Sequence, residues 1–156
     1  MKNKKFISTS SSETVAFGKR LAKYVKPGDI ICFDGDLGSG KTTLIKGIAK
    51  GLGIKQAKVN SPTFVLMNIY EGKMPLFHFD LYRLNSIEEI YAIGYDEFLY
   101  GEGLSVIEWA DRLGEDAPEE YLKVSLQHYD LNERIIQVLA KGVRYQKVIE
   151  NLGSEQ

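Results

Sequence analysis

The chain has 156 residues, 44% hydrophobic and 26% charged, with 20 basic against 21 acidic side chains and a net charge of −1. That make-up belongs to one ordinary globular domain with a sizeable core, and it excludes a strong global field that would draw in nucleic acid or a membrane surface. The lone Cys32 excludes an internal disulfide and, inside an apolar run, reads as a packed thiol.

Lys2, Lys4 and Lys5 open the chain, but the hydroxyl-rich stretch 8–12 follows them instead of the apolar segment of a secretory signal. No apolar run approaches the ~20 residues that span a bilayer. A cytoplasmic protein without membrane association is expected. Neither an internal repeat nor a low-complexity linker interrupts the chain, so residues 1–156 are read as a single domain.

Lys5-Phe6-Ile7-Ser8 suits a short edge strand. Ser10 and Glu13 have capping-box spacing, and Phe17, Leu21, Ala22 and Val25 then form one apolar helical face that stops at Pro27-Gly28. Two readings stand for this element: a packing helix, or one whose Ser10–Thr14 corner lies beside a bound base. Ile30-Ile31-Cys32-Phe33 is a compact apolar run between Gly28 and Gly35, as a buried strand would be.

Gly35-Asp36-Leu37-Gly38-Ser39-Gly40-Lys41-Thr42 follows at once. Gly, four residues, then Gly-Lys-Thr is the phosphate-binding loop pattern. Leu44, Ile45, Ile48 and Leu52 continue at helical spacing to Gly53, which completes the strand–loop–helix context the motif needs. Three glycines let successive backbone N–H groups converge on an anion, and the following helix contributes its orphan donors and dipole. Lys41 supplies a full positive charge to the outer phosphates, and the Thr42 hydroxyl stands where such loops ligate magnesium. A chance match in a chain of this length arises roughly once in two hundred.

Asn60-Ser61-Pro62-Thr63-Phe64 is a loop or strand entry, because Pro62 pushes Ser61 into extended backbone. Ser61 and Thr63 are candidates for the hydroxyl that senses a γ-phosphate on a movable segment, and an ordinary loop is the alternative. A strand over 64–70, a turn at Glu71-Gly72-Lys73 and a returning strand over 76–82 make a hairpin. Alternation on the second strand places His78, Asp80 and Tyr82 opposite Phe77, Phe79 and Leu81. That polar row is either a site surface, with Asp80 able to hold magnesium directly or through water, or the solvated side of an edge strand.

Asn85-Ser86 caps a short helix through Ile87, Ile90 and Tyr91, and residues 95–100 form another. Leu104-Ser105-Val106-Ile107 is a strand that runs into Glu108-Trp109-Ala110-Asp111. An acid at the end of an apolar strand is where phosphate-loop enzymes keep a metal-binding or water-handling carboxylate. Asp80 and Glu108 both qualify, and their division of labour stays open. Trp109 is readable as a base-stacking ring or as a core or interface residue. The remainder is structural: alternating strands at 121–127 and 134–139 around Asp130-Leu131-Asn132, His128 as a surface strand residue, and a final helix carrying Tyr145, Val148, Ile149 and Leu152 over the sheet.

Gly-Asp-Leu-Gly-Ser-Gly-Lys-Thr-Thr at 35–43, Ser-Pro-Thr-Phe at 61–64, His-Phe-Asp-Leu-Tyr-Arg at 78–83 and Ile-Glu-Trp-Ala at 107–110 together resemble the TsaE (YjeE) family, in order and over nearly the whole chain. These are small bacterial ATPases required for threonylcarbamoylation of the adenosine beside the tRNA anticodon. The resemblance implies an α/β, single-domain P-loop NTPase-like fold whose mixed parallel and antiparallel central sheet is flanked by helices. It also implies a slow ATPase using ATP and magnesium, acting on the TsaB and TsaD proteins of the transfer complex, with tRNA reached through those partners. Carried over by position, it makes Asp36, Leu37, Gly38, Ser39, Gly40, Lys41, Thr42, Thr43, Ser61, Thr63 and Trp109 nucleotide contacts. Lys41, Asp80 and Glu108 become the catalytic residues, and Thr42, Asp80 and Glu108 the metal ligands.

Other classes share part of this pattern. A small-molecule kinase has the loop and strand-end acids but usually an arginine-bearing lid, and Arg20, Arg83, Arg112, Arg134 and Arg144 are not clustered in sequence. A GTPase needs Asn-Lys-x-Asp, whereas Asn3-Lys4 is followed by Lys5-Phe6. A nucleotide-gated binding module that does not hydrolyse would carry the same residues.

Overall fold

The computed structural model describes residues 2–36, 38–55 and 66–154. The elements run β1 (Asn3–Ser8), α1 (Ser11–Ala22), β2 (Ile30–Asp34), α2 (Lys41–Gly51), β3 (Met67–Tyr70), β4 (Leu76–Asp80), α3 (Ile87–Ala92), α4 (Tyr95–Leu99), β5 (Leu104–Glu108), a 3₁₀ segment (Ala110–Asp116), β6 (Tyr121–Asp130), β7 (Glu133–Lys141) and α5 (Val143–Ser154). The strands form one sheet in the order β1-β7-β6-β2-β5-β4-β3. Its centre is parallel (β6, β2, β5 and β4), while β1–β7, β7–β6 and β4–β3 pair antiparallel. The mixed α/β sheet expected from the family resemblance is the one observed.

Both faces are covered, which is what a continuous apolar strand such as Ile30–Phe33 requires. On one face Ile31, Phe33, Val106, Val124 and Val138 pack with Leu21 of α1, Leu44, Ile45 and Ile48 of α2, and Val148 and Leu152 of α5. On the other, Cys32, Phe79 and Ile107 pack with Ile90, Tyr95, Leu99 and Leu113 of the α3–α4 and 3₁₀ connections. Cys32 is a buried free thiol whose pKa burial pushes up to about 12, which makes it a packing residue. The Tyr145 hydroxyl accepts from the Ile30 N–H at 2.9 Å and ties α5 to the first residue of β2.

Helices α1 and α2 approach through glycine. A Cβ on Gly47 would lie 2.2 Å from the Val15 carbonyl oxygen, and one on Gly18 2.3 Å from that of Leu44. Backbone therefore meets backbone, and the N-terminus of α1 is brought beside the first turn of α2. The Ser10 hydroxyl accepts from Glu13 N–H at 3.1 Å, while the Glu13 carboxylate returns to the amide of Thr9 at 2.9 Å, so the expected capping box is closed one residue early.

Several boundaries differ from expectation. The strand expected over 64–70 is ordered as β3 from Met67, with Leu66 ahead of it and residues 64 and 65 outside the described residues. The strand expected to reach Tyr82 stops at Asp80, because the Asp80 side chain accepts from the Tyr82 N–H at 3.1 Å and turns the chain. Val25 lies beyond α1 but is still part of the core. Strands β6 and β7 are longer than expected and pair out to Asp130 and Glu133.

Candidate functional site

Strand β2 delivers the chain at Asp34 into the glycine loop, and α2 begins at Lys41. Gly40, immediately before α2, has φ 108°, in the left-handed region that a β-carbon disfavours. Gly35 has φ 142°, and a Cβ there would lie 2.6 Å from the Leu126 carbonyl oxygen. Within the loop the Ser39 N–H donates to Asp36 O at 3.1 Å, and the buried Ser39 hydroxyl has no partner among the described residues.

Lys41 is buried at 5% exposure. Its ammonium donates to Gly35 O at 2.6 Å and lies 4.2 Å from the centre of the Trp109 ring. Trp109 is the single non-glycine residue with positive φ among those described (φ 61°, ψ 41°). Left-handed backbone on a tryptophan costs on the order of 1–2 kcal/mol. That conformation swings the ring over the loop lysine and against Tyr82, with ring centroids 5.1 Å apart.

The two sequence-identified acids come together. Asp80 and Glu108 face each other in register on the parallel strands β4 and β5, and Glu108 also stands opposite Phe33 of β2. Both therefore lie at the carboxyl ends of parallel strands, where open α/β sheets bind their ligands. The Asp80 carboxyl is shifted upward, first by burial and second by the Glu108 charge, against the pull of the Tyr82 amide, His78 and Lys41. Glu108 is 3% exposed and bonded through Oε2 to Nε2 of His78 at 2.7 Å.

His78 decides between the two readings of the polar row. Strand β4 lies between β3 and β5, and the His78 ring is fully buried at 0% exposure, so the row is no solvated edge. His78 and Asp80 face into the molecule, while Tyr82, past the end of the strand, is 43% exposed.

Thr42 is half-buried on the first turn of α2. Thr43 lines an open cavity of about 210 Å³ together with Gly40, Ser10, Thr14, Asn132 and Arg134. The Ser10–Thr14 corner of α1 thus sits beside the first turn of α2. Leu37, Ser61 and Thr63 lie outside the described residues, and Asp36 is an exposed loop residue.

Two residues missed at the sequence level reach the loop from the β6–β7 hairpin. His128 donates from Nε2 to Gly38 O at 2.9 Å, and Arg134 from Nε to Ser39 O at 3.0 Å. His128 is exposed as expected, yet it is also a loop contact. No local motif announces either residue. Only the hairpin register, His128 opposite Arg134, brings the pair to one place.

The family described as "Threonylcarbamoyl adenosine biosynthesis protein TsaE" matches residues 8–136. A Bacillus subtilis protein named tRNA threonylcarbamoyladenosine biosynthesis protein TsaE is 41% identical over 153 residues, which cover 97% of this chain and 95% of that one. A Treponema pallidum protein of the same name is 40% identical over 121 residues, covering 78% and 89%. The crystal structure of Bacillus subtilis YdiB superposes with a TM-score of 0.83 at 36% identity, over 98% of this chain and 95% of that one.

Proposed function

The chain belongs to the TsaE family of tRNA threonylcarbamoyladenosine biosynthesis, and from that premise we propose that it binds ATP with magnesium, hydrolyses it slowly, and uses the cycle to reset the TsaB–TsaD transfer complex. The observation that carries this reading is the juxtaposition of a phosphate loop with two in-register carboxylates, Asp80 and Glu108, at the adjoining strand ends.

The donor set suits magnesium on a nucleotide. Among the described residues no group of three or more His, Cys, Asp or Glu side chains converges to hold a metal unaided. Magnesium with a nucleotide needs only one or two protein oxygens, the phosphates supplying others. Thr42 and one acid satisfy that requirement. We assign the metal side to Glu108, because its strand is the direct neighbour of β2, and the attacking water to Asp80, one strand farther out. Bound there, the metal would neutralise charge on the β- and γ-phosphates.

The chain's own residues do the rest. Amides of the 35–40 loop receive phosphate oxygens, and Lys41 exchanges the Gly35 carbonyl for the outer phosphates. The cavity bounded by Ser10, Thr14, Asn132 and Arg134 adjoins Gly40 and Thr43, a fitting place for the nucleoside. Loss of the γ-phosphate would release the contacts of Lys41 and Asp80, and through Trp109 and Tyr82 it would alter the surface offered to a partner.

The test follows γ-labelled ATP with the chain alone and with TsaB and TsaD. Slow phosphate release that rises with the partners and vanishes in Lys41→Ala supports the reading. Label on a small metabolite would make the chain a kinase, and binding without turnover would leave a nucleotide-gated module.

A further inference from the structure

The His78–Glu108 pair carries a role that loop and acids alone do not. His78 lies two residues before Asp80 on β4, in Cα register with Val106, so its ring reaches along the neighbouring strand to Glu108 on the same inward face. Nε2 to Oε2 is 2.7 Å, with the two side chains 0% and 4% exposed. Because a carboxylate oxygen accepts, the ring proton in this bond sits on Nε2.

Nδ1 of His78 is buried and has no hydrogen-bond partner among the described residues. A buried imidazole has to satisfy its polar atoms, and the side-chain partner it finds among the described residues is the Glu108 carboxylate. Glu108, for its part, has three rotatable bonds and sits at the end of β5, in register with Phe33 of the strand that leads into the loop.

We propose that His78 is a positioning residue: by holding Oε2 it fixes the Glu108 carboxylate in the orientation that takes the nucleotide-bound magnesium. The inference rests on the nucleotide reading above. Partners that orient a ligating carboxylate or imidazole change metal affinity or activity by about 10–100-fold when lost.

The experiment compares the full-length chain with His78→Leu and His78→Gln; the glutamine amide nitrogen can take the place of Nε2. ATP affinity is measured by calorimetry without magnesium and across a magnesium titration, with phosphate release in parallel. In His78→Leu, the magnesium needed to tighten ATP binding should rise about tenfold or more. Affinity without magnesium should stay within about twofold, since phosphate contacts of the loop are untouched. His78→Gln should recover most of the loss, and phosphate release should follow the same order.

Should His78→Leu fail to fold, His78→Asn replaces it, because its amide reaches the Nδ1 position only and should leave Glu108 unheld. An unchanged magnesium requirement in the leucine or asparagine variant overturns the proposal. So does a glutamine variant no better than either. A wild-type chain that binds ATP and magnesium but releases no phosphate defeats the hydrolytic reading, while the magnesium titration still decides His78. A wild-type chain that binds no ATP defeats both.

Discussion

The Lys41 ammonium is held between the Gly35 carbonyl oxygen, at 2.6 Å, and the face of the Trp109 ring, 4.2 Å from its centre. A carbonyl and an aromatic face are the two neutral groups that best stand in for an anion beside a buried cation. On the proposed function, phosphate oxygens would compete for that ammonium directly, so nucleotide binding would be coupled to the environment of Trp109 through a single side chain.

Trp109 is the only tryptophan in the sequence, so its emission reports on that exchange without a label. Adding ATP to the wild-type chain should change the emission in a saturable way. Lys41→Ala should start from a different spectrum and show little response. An emission that ignores ATP, at concentrations where calorimetry shows binding, would mean that Lys41 stays on the ring.

Half-buried Asp80 sets stability against the role proposed for it. Its carboxyl is raised in the folded chain, by burial and then by Glu108, so the folded state holds the proton more tightly than the unfolded one. Stability from this group therefore falls as pH rises from the ordinary carboxylate range through the raised value, and the penalty is fully present above it. Asp80→Asn should melt higher than wild type at pH 7, with the advantage shrinking as the pH is lowered through the carboxylate range, while phosphate release is lost. Equal melting temperatures at pH 7 would refute the electrostatic account.

The loop is braced by side chains remote in sequence. Arg134 donates to Ser39 O and His128 to Gly38 O. A hydrogen bond from a charged group contributes about 1.5–3 kcal/mol. Arg134→Ala should accordingly weaken ATP affinity about tenfold or more, with His128→Ala milder, and the far-ultraviolet circular dichroism of both unchanged. Wild-type affinity in Arg134→Ala would show that the loop keeps its shape unaided.

Helix propensity and packing make opposite forecasts at Gly47. In an exposed helix, alanine is favoured over glycine by about 1 kcal/mol. Here the added Cβ would lie 2.2 Å from the Val15 carbonyl oxygen, a backbone atom that cannot swing aside. Overpacking costs typically about 1–3 kcal/mol, so Gly47→Ala should lower the urea midpoint. A gain in stability would mean that α1 and α2 separate easily.

What the sequence determined by itself is what depends on neighbouring residues. The Gly35–Thr42 spacing, the apolar faces of α1, α2 and α5, and acids at the ends of apolar strands are all set within a few positions, because backbone conformation and helical or strand periodicity are local properties. Those features named the phosphate loop and both acids, and the family motifs added the mixed sheet.

Tertiary structure decided everything that hangs on strand order and register. Alternation along 76–82 put His78 and Asp80 on one face but was equally compatible with solvent or core on that side; the choice came from β4 lying inside the sheet between β3 and β5. His78 and Glu108 are 30 residues apart in sequence, and Arg134 and Ser39 are 95 apart. Such pairs leave no periodic trace in either partner's neighbourhood. They exist because parallel pairing of β4 with β5, and a hairpin longer than its apolar core, carry side chains from distant segments to one end of the sheet.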